Sequence, residues 1–368
     1  MNDQTHFYAG RRAYTFWRTA VGTVKPATFD PVTHFPFKIG QQDKVATAGS
    51  CFAQHIAQHL ATMGLTYLVT EQAHPIGTPE MASEYSYGTF SARTGNVYTA
   101  RQLVQLFDRA CGRFTPAETA WSDHDKQRWY DPFRPAIEPG GFWSEAELHH
   151  DRARHLAAVR QMFESLDYFV FTMGLTECWL SKADGAAFPV CPGTIAGTYD
   201  PDQHYFQNFS LQDTVDDMNG FVQRLSEVNP RAKIILTVSP VSLAATAEDR
   251  HVATSTTASK AILRVACDQL ERAHDQVAYF PAYEIITANI TRGRYYAKDL
   301  RSVTDAGVKH VMRLFRRHAL DPEAILLAGK RRTTKRRQPS TQEQTYAAAQ
   351  AIIEATCEEQ ALDRAAPR

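Results

Sequence analysis

Apolar residues in this chain fall into two alternating kinds of run. Short, nearly unbroken stretches occupy 45–48, 168–174, 233–240 and 277–285, each ended by Gly, Pro or polar residues. Runs of that length and composition predict buried strands, and a weaker run at 67–70 predicts another. Between them the spacing changes to three and four. Phe52, Ile56, Leu60 and Met63 share one face, as do Ile262, Val265, Ala266 and Leu270, and then Val308, Val311, Met312 and Phe315. That spacing predicts amphipathic helices. Further helices are expected over 99–110, 144–166, 213–228 and 255–273, the second opened by a Ser144/Glu147 capping box. Alternating strands and helices predict an α/β fold, a doubly wound, mostly parallel sheet covered on both faces. No repeat of 20 to 50 residues is visible.

Three regions are expected. Residues 1–43 form an aromatic and proline-rich extension with no periodicity of its own, which predicts a segment wrapped on the domain. Residues 44–320 form the α/β domain. Residues 321–368 hold a basic run at 330–337 and a capped, alanine-rich helix, read as a detachable tail. Within the domain, 111–144 gathers Trp121, Trp129, Tyr130, Phe133, Phe142 and Trp143. That insertion is either an aromatic surface for a sugar or acyl group or a plain hydrophobic lid.

Composition narrows the partners. Forty basic and forty acidic side chains cancel, so nothing draws the chain to nucleic acid or an anionic membrane. There is no apolar run of membrane-spanning length. No signal-peptide core stands at the N-terminus, and six scattered cysteines fit reduced thiols, so a cytoplasmic location is expected. No cysteine or histidine spacing calls for a metal, and no motif calls for a cofactor. A small-molecule or carbohydrate substrate is the expected partner, while no feature specifies an oligomeric state.

The chemistry centres on the end of the first predicted strand, where Gly49-Ser50 turns at once into a helix. Ser50 there is either a helix N-cap or a nucleophile at the carboxyl edge of the sheet. The main-chain N–H groups of Ser50 and Cys51 would then face developing negative charge. Spacing alone favours the cap. The string Gly49-Ser50-Cys51-Phe52-Ala53 resembles the signature of the GSCFA family, a branch of the SGNH (GDSL-like) hydrolases. The resemblance implies an SGNH-hydrolase-like, flavodoxin-like three-layer sandwich with Ser50 as nucleophile.

Later blocks resemble the same group. Gly95-Asn96, within 90–99, stands where the superfamily keeps oxyanion donors, although Gly-Asn is also a common turn. Gly174-Leu175-Thr176 stands at a Gly-x-Asn block with Thr176 in the asparagine position. The implied oxyanion hole is thus Cys51, Gly95, Asn96 and Thr176. Asp299 matches the aspartate of Asp-x-x-His, but Ser302 holds the histidine position. His251, in the loop 244–254 after a predicted strand, is the expected base, with His310 read as a solvated histidine off its helix's apolar stripe. Cys51 is a rival nucleophile, since helix N-termini lower thiol pKa values. The expected function is a serine esterase or acyltransferase acting on an ester, such as O-acetyl groups of a carbohydrate. The alternative is a catalytically inactive SGNH-like domain that binds a glycan or a protein.

Overall fold

The computed structural model describes residues 6–322 apart from 63, 64, 124 and 126. The expected basic linker and tail helix, and Met63, lie outside the described residues. In chain order the elements open with β1 (Lys44–Gly49), α1 (Cys51–Thr62), β2 (Thr66–Tyr67), α2 (Pro79–Glu84) and α3 (Ala100–Ala110). The hairpin β3 (Trp121–Asp123) and β4 (Arg128–Tyr130) precedes α4 (Glu145–Ser165), β5 (Tyr168–Met173), β6 (Glu177–Ser181), β7 (Ala187–Phe188) and β8 (His204–Asn208). Then come α5 (Leu211–Val228), β9 (Lys233–Val238), α6 (Val252–Ala273), β10 (Val277–Tyr279), α7 (Ala282–Thr287) and α8 (Asp305–Ala319).

The central sheet has five parallel strands in the order β10-β9-β5-β1-β2. Period-two alternation divides its side chains between two cores. Ala46, Ala48, Phe169, Phe171, Ile234 and Leu236 face one core with residues of α3, α4, α5 and α6. Val45, Val170, Ile235 and Ala278 face the other with residues of α1, α7 and α8. The fold is therefore the α/β sandwich expected from the sequence, with both faces of the sheet covered. A second sheet, β7-β6-β8, is antiparallel and begins at Glu177, after the three residues that follow β5. Among the described residues no helix is long and apolar enough to cross a membrane.

Two local expectations change. The run 277–285 is a strand only to Tyr279, because Pro281 cannot extend a ladder and instead opens α7. In α6 the buried stripe runs through Ser255, Ser259, Lys260, Leu263, Ala266, Cys267 and Leu270, leaving Val265 exposed. Polar residues occupy the inner face of its first turns, so an apolar count alone misphases the helix. In the N-terminal segment Phe29, Val32, Phe35, Phe37 and Ile39 belong to the core beside α8, and Ile39 pairs in parallel with Leu320. Phe7, Tyr8 and Trp17 stay exposed. The aromatics of 111–144 largely fill small cores of their own: Trp121, Tyr130 and Phe133 pack with Phe188, and Phe142 packs with Leu148.

Candidate functional site

The chain leaves β1 for β2 on one side and returns for β5 on the other, so β1 and β5 bound the topological switch point of the sheet. Gly49 and Ser50 stand at its carboxyl edge. Gly49 has φ +138°, and a Cβ there would lie 2.4 Å from the Thr172 carbonyl oxygen on β5. Only glycine allows the two backbones to come so close. Ser50 follows with its N–H donating to the same carbonyl at 3.2 Å. The residue is 3% exposed, yet among the described residues its Oγ has no hydrogen-bond partner. The hydroxyl therefore does not cap α1.

Ser50 opens instead on a small cavity, lined also by Tyr98, Gly174, Ser239, Leu243 and Lys260, with room for about one water molecule. Gly174 is again a close approach, since a Cβ there would meet Ser50 Cβ at 3.2 Å and Tyr98 Cδ1 at 3.1 Å. Through Tyr98, Leu175 and Leu243 this cavity shares its walls with a larger one of about 170 Å³. The larger cavity lies between β6, β8 and the loop after β9, and Trp179, Val190, Phe206 and Ala245 give it mostly apolar walls.

The other predicted residues divide. Cys51 begins α1, so its main-chain N–H is among the first-turn donors that no helical carbonyl satisfies. The Val97 N–H donates to the Gly49 carbonyl at 2.9 Å, which ties the Gly95-Asn96 block to the end of β1. Gly95 itself takes the left-handed turn, at φ +66°. Asn96 is buried, and its Oδ1 accepts from Gln54 Nε2 of α1 at 3.1 Å. It lines a separate small cavity with Gln102, Arg109 and Phe133. Thr176 is committed elsewhere: its hydroxyl donates to Asn208 Oδ1 at 2.7 Å and its N–H to Ser259 Oγ at 3.0 Å.

The expected base and its orienting aspartate are not brought together. His251 is exposed at the N-cap of α6, where its Nδ1 accepts from the Ala253 N–H at 3.1 Å. It is not among the residues lining the Ser50 cavity. His310 is buried, correcting the solvated reading. Its Nδ1 pairs with the Tyr295 hydroxyl at 2.6 Å and its Nε2 with the Phe29 carbonyl at 2.9 Å. The N-terminal segment covers that face of α8 and supplies the acceptor, which helix periodicity within α8 cannot reveal. Burial lowers the His310 pKa. Asp299 is exposed and accepts from the Ser302 hydroxyl at 2.5 Å and from the N–H groups of Arg301 and Ser302. Burial opposes its ionisation, but these hydrogen bonds outweigh it and hold the carboxyl below its ordinary value. Its loop still borders the site: Arg301 Nε donates to the Ser242 carbonyl and Tyr296 to that of Pro240, beside Val241 and Leu243 of the cavity wall.

A buried ionic network braces the block that carries Asn96. Arg93, 1% exposed, pairs with Asp151 at 2.9 Å, donates to the Tyr85 carbonyl and lies over the Tyr87 ring. Arg134 bridges Asp131 and Asp151, and Arg152 adds a second contact to Asp131. Glu71 accepts from the Arg93 N–H at 2.8 Å and pairs with His155 Nδ1 at 2.8 Å. Burial penalises the Glu71 carboxylate, but the His155 hydrogen bond and the nearby arginines hold its pKa down to about 2. Burial lowers His155 to about 4, so it is neutral and donates to Glu71.

Tyr98, Ser239 and Lys260 are site residues that sequence reasoning passed over. Lys260 left one signal, a lysine on the inward stripe of α6, one turn before Leu263. Among the described residues no group of His, Cys, Asp and Glu could hold a metal ion. Compared with known families, residues 44–315 match the model of the GSCFA family. No curated protein matches the chain.

Proposed function

This chain belongs to the GSCFA family, and from the placement of Ser50 we propose that it is a serine-dependent esterase or acyltransferase. One observation carries the reading. The Ser50 hydroxyl is buried without a hydrogen-bond partner among the described residues, at the carboxyl edge of the switch point. Leaving a buried hydroxyl unpaired costs about 1–3 kcal/mol. Ser83, Thr89, Thr172 and Thr237 also carry buried hydroxyls without a partner, and what sets Ser50 apart is that it stands at the switch point and lines a cavity. In the reaction, Ser50 Oγ attacks the acyl carbon, and the Cys51 N–H at the positive end of α1 supports the oxyanion. An alcohol leaves, and water or an acceptor hydroxyl then takes the acyl group. The apolar cavity of about 170 Å³ suits the apolar part of the ester, being close in size to cavities of about 150 Å³ that hold benzene. For an O-acetylated carbohydrate, Trp179 and Phe206 are the aromatic side chains of that cavity against which a sugar ring would pack.

A second reading, an inactive domain that binds a glycan or a protein, draws on one feature: no histidine lines the Ser50 cavity among the described residues. A fluorophosphonate probe separates the two. The proposal expects labelling at Ser50, located by mass spectrometry and absent in a folded Ser50→Ala variant. An unlabelled wild-type protein that also leaves a panel of acyl esters intact would favour the binding domain.

A further inference from the structure

We propose that Lys260 is the proton acceptor for Ser50, an inference that rests on the reading of Ser50 as nucleophile. Lys260 is 3% exposed and lies on the inner stripe of α6, at a position where the helix would otherwise present an apolar side chain. It lines the same small cavity as Ser50. Its Nζ donates to the carbonyl of Gly174, where an added Cβ would lie 3.2 Å from Ser50 Cβ. One residue earlier on α6, Ser259 holds the Thr176 N–H. The helix therefore grips both ends of the Gly174-Leu175-Thr176 turn and delivers an amine to the space in front of the serine.

The two histidines that the sequence offered are placed elsewhere. His251 sits nine residues before Lys260 on α6, about 13 Å along the helix at 1.5 Å per residue. His310 has both ring nitrogens engaged in the opposite core. Lysines removed from bulk water serve as general bases, and serine–lysine pairs replace serine–histidine ones on several folds. The cavity is large enough for the proton to pass through one water, which is within the reach a general base needs.

The neutral Lys260 amine takes the Ser50 hydroxyl proton as Oγ bonds to the acyl carbon. The resulting ammonium protonates the leaving alkoxide as the bond from carbon to the leaving oxygen breaks. Water, or an acceptor hydroxyl, then gives its proton to Nζ while its oxygen takes the acyl group, and Ser50 recovers a proton.

The competing role is a clamp that only holds the Gly174 carbonyl. Lys260→Arg keeps a cation and a donor for that carbonyl but cannot act as a base at neutral pH. Lys260→Met keeps the length and packing if the arginine variant misfolds. The full chain would be treated with a fluorophosphonate and the rate of Ser50 labelling measured, with folding checked by thermal melting. Base catalysis predicts that both variants label about a hundredfold or more slowly. It also predicts that methylamine or ethylamine partly restores Lys260→Ala. Wild-type labelling in either folded variant, or no response of Lys260→Ala to amines, would overturn the assignment while leaving Ser50 as nucleophile. Wild-type protein that does not label at all would remove both.

Discussion

Replacing Gly49 by alanine tests how tightly the backbone is drawn together where the proposed nucleophile is held. Two costs arise. Alanine at φ +138° sits in a region that L side chains avoid, worth about 1–3 kcal/mol. Its Cβ would also lie 2.4 Å from the Thr172 carbonyl oxygen and 2.8 Å from the Thr172 nitrogen, so β1 and β5 must part at their carboxyl ends. Forcing a methyl into packed structure costs about 1–3 kcal/mol more. The expected loss is about 2–6 kcal/mol, a large share of the 5–15 kcal/mol typical of a folded domain. Gly112→Ala provides the control, because φ there is +69° but nothing lies within 4 Å of its Cβ. Urea unfolding of the two variants separates backbone strain from the clash. Gly112→Ala should lose about 1–3 kcal/mol and Gly49→Ala visibly more, together with slower labelling of Ser50. Equal midpoints for the two variants, or a Gly49→Ala protein as stable as wild type, would refute the close approach of β1 to β5.

Two further outcomes follow from the network and the displaced histidine. Glu71 is ionised in the folded protein down to about pH 2 against an ordinary 4.5, a difference worth about 3 kcal/mol of stability that is present above pH 4.5 and lost as pH falls through 2. His155 acts in the same direction at higher pH, because the unfolded chain takes a proton near 6.5 that the folded site refuses until about 4. Stability measured by urea titration should therefore fall from pH 6.5 downward, and Glu71→Gln should flatten the limb below 4.5 while costing about 3–5 kcal/mol at neutral pH. An acid limb unchanged in Glu71→Gln would count against the network. His251→Ala should lose about 1 kcal/mol as a weakened N-cap of α6 and label at Ser50 at the wild-type rate; a hundredfold slower reaction would return His251 to the chemistry.

Much of the fold was legible because a parallel sheet buried on both faces writes itself as apolar runs. The strands at Val45, Tyr168 and Ile234 were read close to their true limits, and the Gly49-Ser50 break marked where the chain turns from strand to helix. Boundaries failed where one residue overrules a run, as Pro281 does after Tyr279. The site was legible only in part. The Gly49-Ser50 string signals the turn from strand to helix locally, although the contacts that demand glycine at 49 and 174 come from Thr172, Ser50 and Tyr98 on other segments. The partners of Ser50 come from four separate segments, and which side chain of a helix faces a cavity depends on how that helix lies against the sheet. Lys260 is a charged residue on the buried stripe of α6, and spacing alone does not tell it from a solvated lysine. His310 looked like surface until residues 29–39, more than 270 positions away, folded over it. Side-chain type and spacing determined the layers and the serine's strand, whereas burial, hydrogen-bond commitment and access to Ser50 were decided only when distant segments closed on one another.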